Sequence, residues 1–413
     1  MLRILTPSFG FIQNGPSVKN VLKSRRLVKY QSYEINRELE DLYAGIIGQG
    51  NALSFASGRM AFWSFLKINK IGPGDEIIIT GFTCSVMVNA ILRIGATPVF
   101  SDINEKTYGT SILGIEQLIT SKTKLIVAQH SFGIACDIKD IVLIARKYRI
   151  MVLEDCALTL GTKINGVHVG NFGDAAIFST DHAKPINTLA GGILYSNNTD
   201  LVELVRKNYG RSGIISVSKK KMMFFYFLLE RIFSHPYLSG QLKRLFDKIF
   251  FGIISIFKLP NPFLIDDYGP TENKSDYDYP SSMPSFLAWI GIQEIRKWPQ
   301  TEIIRRTHQA ELHYLLKNKF GKLVLAKNEE TLLRIVFHCD QFSQIKNKLS
   351  KFIDVKAFWF NSPIISTAFQ LEDFGYFPGA SRKSEYIAAR IINIPILDKR
   401  KHHLLLMQKI ENC

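Results

Sequence analysis

Three short stretches of this 413-residue sequence carry residue types that could do chemistry together. Ser57-Gly58-Arg59 stands where a helical pattern opens, through Met60, Phe62, Phe65 and Leu66. Free backbone N–H groups and the positive end of the helix dipole make such a turn an anion site, and a glycine lets the anion approach the backbone. Taken alone, the same turn also reads as an ordinary N-cap. Glu154-Asp155 closes the apolar run Met151-Val152-Leu153, which puts a carboxylate at the carboxyl end of a strand, where α/β proteins hold their ligands. By itself that pair is equally a solvated or helix-capping acid. Lys184 comes five residues after Ser179, past the run Ala175-Ala176-Ile177-Phe178 and ahead of Gly191-Gly192. A lysine whose pKa is lowered by burial forms a Schiff base with an aldehyde.

The order of the three narrows the chemistry. Pyridoxal phosphate needs a phosphate cradle, a carboxylate that keeps the pyridine nitrogen protonated so that the ring is an electron sink, and a lysine for the aldehyde. The elements that must position these residues follow from periodicity. Helical spacing runs from Arg37 to Gly48 and again after Ser57-Gly58. Short β-rich runs cover Glu76 to Thr80, Pro98 to Ser101, Lys124 to Gln129 and Met151 to Glu154, with a helical stretch from Asp137 to Arg149 between the last two. Asp174 to Ser179 and Gly191 to Ser196 read as two further strands. The alternation predicts βαβ units in a mostly parallel sheet, an α/β domain whose pattern runs over roughly 30 to 215.

Beyond it the composition changes. Residues 222 to 265 are crowded with Phe, Leu, Ile and Met between Lys and Arg, and charges interrupt every run before it reaches the length of a membrane span. Apolar blocks with basic punctuation suit an interfacial helix, and equally a helical hairpin packed on its own protein or on a second subunit. Met283 to Tyr314 reads as one long helix with a kink or break at Pro299. The remainder mixes strands at Leu332 to His338 and Ala357 to Phe360 with helices at Phe342 to Lys351 and Lys383 to Ile391. The expected organisation is a large cofactor-binding domain over 1–215, a hydrophobic-basic helical insertion over 216–270 and a smaller C-terminal α+β domain over 271–413.

Lys and Arg number 52 against 36 Asp and Glu, a net charge of +16, so phosphate groups, nucleic acid or anionic lipid would be attracted. No helix-turn-helix, RNA-recognition or zinc signature accompanies the charge, which argues against a specific nucleic-acid partner. Cys84, Cys136, Cys156, Cys339 and Cys413 are scattered without a CxxC pair or a Cys/His cluster and read as reduced thiols, with no metal site. The first residues lack a long apolar stretch followed by a cleavage site. The expected location is the cytoplasm, with a peripheral contact at the inner membrane face through residues 219–265.

The chain resembles the DegT/StrS-type sugar aminotransferases, fold type I pyridoxal-phosphate enzymes. The resemblance rests on Ser57-Gly58 with Ala61, Ile71-Gly72-Pro73-Gly74-Asp75-Glu76-Ile77, Gly95 to Ile103, His130 with Gly133, Glu154-Asp155-Cys156-Ala157, and Gly170 to Ser179. It implies that Lys184 is the Schiff-base lysine and the proton carrier of the reaction, and that Asp155 is the partner of the pyridine nitrogen. It also implies that Gly58, the backbone of Arg59 and Ser179 hold the phosphate, and that Cys84 stands where the family places a ring-stacking aromatic. The implied reaction is amino transfer, with glutamate as donor, to a nucleotide-linked keto sugar of surface polysaccharide or lipopolysaccharide, by a homodimer. The family usually has Thr at the place of Arg59, Gln at that of Leu158, and an Asn-x-Arg where this chain reads Pro280-Ser281-Ser282-Met283. Arg59 could pair with the phosphate directly, whereas Cys84 cannot stack as an aromatic would. Two alternatives stay open: a sugar dehydratase in which His182 is the working base, and a catalytically impaired relative acting as a membrane-associated scaffold. His182 is otherwise read as supporting the site, and His130 as a packed histidine at a strand end.

Overall fold

The structure is a computed structural model and describes residues 7–211, 213–264, 277–320, 329–355, 359–365 and 370–413. Seven strands form the central sheet, in the spatial order Asn51–Phe55, Gly192–Ser196, Ala175–Ser179, Met151–Asp155, Thr123–Gln129, Glu76–Thr80 and Thr97–Ser101. The last five run parallel, while Gly192–Ser196 is antiparallel to Ala175–Ser179 and Asn51–Phe55 antiparallel to Gly192–Ser196. The mostly parallel sheet read from the sequence is therefore present, with an antiparallel edge.

Strands covered on both faces read as continuous apolar runs, which is why Ile77-Ile78-Ile79 and Leu125-Ile126-Val127-Ala128 show no alternation. The pleat still sorts them. Ile77, Ile79, Leu125 and Val127 enter the large core on one face, while Ile78, Ile126 and Ala128 meet Ile141, Val142 and Ala145 of the helix Ile138–Lys147 on the other. Helix Tyr33–Ile47 starts where the Ser32 hydroxyl accepts from the Ile35 N–H, and it buries Leu39, Tyr43 and Ile47.

The single long helix expected over Met283 to Tyr314 is two helices, Ser285–Ile295 and Trp298–Phe320. Pro284 is the cap of the first, and Pro299 sits in the opening turn of the second, where a missing N–H breaks no helical bond. Ser285–Ile295 is apolar nearly all round because it is buried in the large core. The C-terminal part centres on the antiparallel strands Arg334–His338 and Ile391–Pro395. Leu312, Leu316, Ile345, Leu349, Leu406 and Ile410 pack there in a separate cluster. The helix expected over Lys383 to Ile391 ends at Ala388, and Ile391 already begins a strand. The expected strand Ala357 to Phe360 begins outside the described residues, and its described end, Trp359-Phe360, is a turn. Most of the polar stretch Asp266 to Pro280 also lies outside them.

Between these parts stands a hairpin of two helices, Val217–Phe233 and Gln241–Ile256. Met223, Tyr226, Phe227, Phe250 and Ile254 bury its inner side in the large core. Arg231, 4% exposed, donates to the carbonyls of Pro16, Ile12 and Asn14, so its charge enters the interior against oriented dipoles. No helix among the described residues is long and apolar enough to cross a membrane.

Candidate active site

The sheet delivers its two candidate side chains by ending. Asp155 is the last residue of Met151–Asp155 and Ser179 the last of Ala175–Ser179, and the strands are hydrogen-bonded neighbours. Across them, Asn51–Phe55 leads into Ser57 and the helix Gly58–Ile68, whose first turn faces the same ends. Beyond Ser179 the chain loops through Lys184 and returns at Gly191. Thr180 N–H donates to the Gly191 carbonyl at 3.0 Å, Thr188 N–H to the Thr180 carbonyl at 2.8 Å, and Asn187 Nδ2 to the His182 carbonyl at 2.8 Å. The loop carrying the lysine is thus held along its length by its own polar groups.

One cavity of about 280 Å³ results, and Gly58, Arg59, Cys84, Asp155, Ser179 and Lys184 all line it. Every candidate residue read from the sequence is brought to this place. The Asp155 carboxylate accepts from the Ala157 N–H at 2.9 Å. Burial pushes its carboxyl up, against the Ala157 bond and the charge of Lys184. Burial pulls the Lys184 ammonium down, opposed by the carboxylates of Asp181 and Asp155 and the Cys84 sulfur. Its Nζ lies 4.3 Å from the ring centroid of Trp359, a contact that favours a cation. Burial also pushes the Cys84 thiol up, so the group beside the cavity is a neutral thiol.

The residues fit pyridoxal phosphate on two observations. Ser57 Oγ is buried at the start of Gly58–Ile68 with no hydrogen-bond partner among the described residues. A buried hydroxyl left so, at the N-terminal end of a helix, matches an oxyanion. The backbone there is also packed for glycine: a Cβ on Gly192 would fall 2.2 Å from the Gly58 nitrogen. Asp155 and Lys184 stand in the same cavity with the pair of functions the cofactor needs. Arg59 is 9% exposed, and its guanidinium donates to the Leu264 carbonyl, so it ties the helix start to the segment that follows the hairpin.

Several wall residues were not found from the sequence. Trp359 and Phe360 come from the C-terminal part, Phe263 and Leu264 from the end of the hairpin segment, and Gln129 from the strand beside Asp155. Gln129 alone had a signal, its place at the carboxyl end of a strand; its Nε2 donates to the Phe82 carbonyl and to Ser131 Oγ, both at 2.8 Å. His182 also faces the cavity. Its Nδ1 is 3.3 Å from a carboxylate oxygen of Glu230, a residue of the first hairpin helix that is 1% exposed. Burial disfavours the charged ring, but Asp181 and Glu230 outweigh it and bring the imidazole up to about 9. His130 is buried away from the cavity. Its Nδ1 accepts from the Cys136 N–H, leaving Nε2 to donate to Glu154, which also accepts from the N–H groups of Gly170, Phe172 and Gly173. Glu154, not Asp155, is therefore the acid that organises the fold. Although His130, Glu154 and Cys156 cluster, both ring nitrogens of the histidine are occupied by protein.

The DegT/DnrJ/EryC1/StrS aminotransferase family profile matches residues 13–224. A UDP-N-acetyl-3-dehydro-alpha-D-glucosamine 3-aminotransferase of Acidithiobacillus ferrooxidans is 38% identical over 177 residues, 42% of this chain and 48% of that protein. GDP-perosamine synthase of Escherichia coli O157:H7 is 40% identical over 152 residues, 37% of this chain and 42% of the synthase. The matched part spans about half the length of these curated relatives or less. Among solved structures, a DegT DnrJ EryC1 StrS aminotransferase from Brucella abortus superposes over 95% of this chain and 94% of its own, with a TM-score of 0.67 at 17% identity. NtdA from Bacillus subtilis, solved with bound cofactor PMP, superposes over 96% of this chain and 81% of its own, with a TM-score of 0.66 at 17% identity. At that identity the structural likeness speaks for the fold.

Proposed function

The chain belongs to the DegT/DnrJ/EryC1/StrS aminotransferase family, and on that premise we propose that it is a pyridoxal-phosphate aminotransferase acting on a nucleotide-linked keto sugar, with glutamate as amino donor. The names of the relatives, which include a spore coat polysaccharide biosynthesis protein of Bacillus subtilis, support a role in surface polysaccharide or lipopolysaccharide assembly. A homodimer is part of the proposal. So is the cytoplasm, with which five free cysteines agree.

The observation that carries the reading is the convergence of Asp155, Lys184 and the Ser57–Gly58 helix start on one cavity. When bound, the cofactor supplies the electron sink for the transfer. Asp155 would then hold the proton on the ring nitrogen, and a cationic partner at that spot would offset the burial that disfavours its charge. Lys184 Nζ accepts and returns the proton at the substrate carbon, and its lowered pKa suits both directions. Ser57 Oγ, the Gly58 N–H and Ser179 bind the phosphate. Trp359, Phe263 and Leu264 line the same cavity with apolar surface that limits the entry of water.

The test has two steps. Purified protein should show the absorbance of a lysine-bound cofactor, and Lys184→Ala should lose it. Incubation with glutamate and a panel of nucleotide-linked keto sugars should then form 2-oxoglutarate and an amino sugar. A protein that binds no cofactor would sink the proposal. The dehydratase alternative rests on His182 lining the same cavity, and it requires a deoxysugar product with no glutamate consumed.

A further inference from the structure

The outward side of the hairpin differs from an ordinary solvated helix pair. On Gln241–Ile256, Leu245, Ile249, Ile253 and Ile256 are 56%, 53%, 45% and 75% exposed. At 3.6 residues per turn they share an arc of roughly 80°. Phe257, directly after the helix, is 69% exposed. The other side of the same helix, with Phe250 and Ile254, is already buried in the large core. The helix therefore carries two apolar faces, and the core needs only one of them.

The charges beside the patch have one sign. Lys221, Arg244, Lys248 and Lys258 are exposed. Between Val217 and Leu264 the only acids are Glu230 and Asp247, and they pair with His182 and Lys243 instead of standing free beside the patch. On the wheel, Arg244 and Lys248 border one edge of the apolar arc, so their stems can lie along it while their heads reach outward.

We propose that this face docks on an anionic phospholipid bilayer, with the helix Gln241–Ile256 in the plane of the interface. Isoleucine, leucine and phenylalanine side chains enter the acyl boundary, and the cations meet lipid phosphates. The helix lies on the membrane without crossing it, in keeping with its sixteen residues. A second copy of the chain fits this face less well. A two-fold contact centred on it would bring Arg244 and Lys248 toward their own counterparts with no exposed acid of the hairpin to answer them. The net charge of +16 favours the same partner from a distance. The inference stands apart from the catalytic reading, because it uses no residue of the cavity.

The test is flotation of the full chain with vesicles of phosphatidylcholine alone or mixed with phosphatidylglycerol. The chain should float with the mixed vesicles and not with phosphatidylcholine alone, and added salt should release it. R244E/K248E should lower the partition coefficient at least about 30-fold. I249S/I253S/I256S should also abolish flotation, with the circular dichroism spectrum and sedimentation coefficient unchanged. The proposal is overturned if the chain stays at the bottom of the gradient with mixed vesicles or floats equally well with both. It is also overturned if the triple variant turns a sedimenting dimer into a monomer, which would make the face a subunit contact.

Discussion

Replacing Glu230 with glutamine perturbs one buried charge behind His182, a residue of the cavity wall, and leaves the shape of the side chain nearly unchanged. The imidazole of His182 rises from 6.5 to about 9, against its own burial, because Asp181 and Glu230 both face it. That rise is worth roughly 3.4 kcal/mol at 1.36 kcal/mol per tenfold. The His182 side chain is 35% exposed to the cavity, so water screens part of the interaction and about 2 kcal/mol is the appropriate figure. The folded pKa lies above the unfolded one. The contribution is therefore complete below pH 6.5 and disappears as pH rises through about 9. Lys243, the other charge acting on the ring, opposes the effect. Glu230→Gln should bring the His182 titration, followed by the ring carbon proton in NMR, down by more than a unit, with Asp181 holding the remainder. Urea unfolding of wild type and variant should differ by about 1–2 kcal/mol at pH 7, and the two curves should converge by pH 10. A wild-type His182 titrating near 6.5, or a stability difference that is constant with pH, would refute the reasoning.

Asp155→Asn should leave the fold intact and remove the anion proposed to hold the ring proton, so the half-reaction with glutamate should slow by about 100-fold or more in stopped-flow absorbance. A variant with full rate would show that Asp155 does not face the cofactor. Gly192→Ala places a Cβ 2.2 Å from the Gly58 nitrogen, backbone that cannot turn aside. It should destabilise the protein by about 3 kcal/mol in urea unfolding and weaken phosphate binding at the helix start, whereas unchanged melting and cofactor affinity would contradict the close approach.

The elements of the sheet were legible because each is a local pattern. Glu76–Thr80 is an apolar run between turns, and the structure keeps those bounds. The first strand, Asn51–Phe55, carries a buried serine in a short mixed run, and only its pairing with Gly192–Ser196 makes it a strand. The break between Ile295 and Trp298 was misplaced for a related reason: a proline marks a helix start as readily as a kink, and which one holds depends on what the preceding turn packs against.

Sequence alone picked out the residues that are proposed to carry the chemistry. Gly58, Asp155, Ser179 and Lys184 stand at strand ends and a helix start, and a strand end or a helix start is decided by neighbours in the chain. Only the tertiary structure decided what surrounds them. Trp359 comes over Lys184 from the C-terminal part, and Glu230, on an amphipathic helix where a carboxylate would be read as solvated, is buried against His182. Such contacts join residues far apart in the chain and leave no periodicity in either partner. They exist because the hydrophobic cores bring distant elements together, and the polar groups left between them take the partners that packing brings.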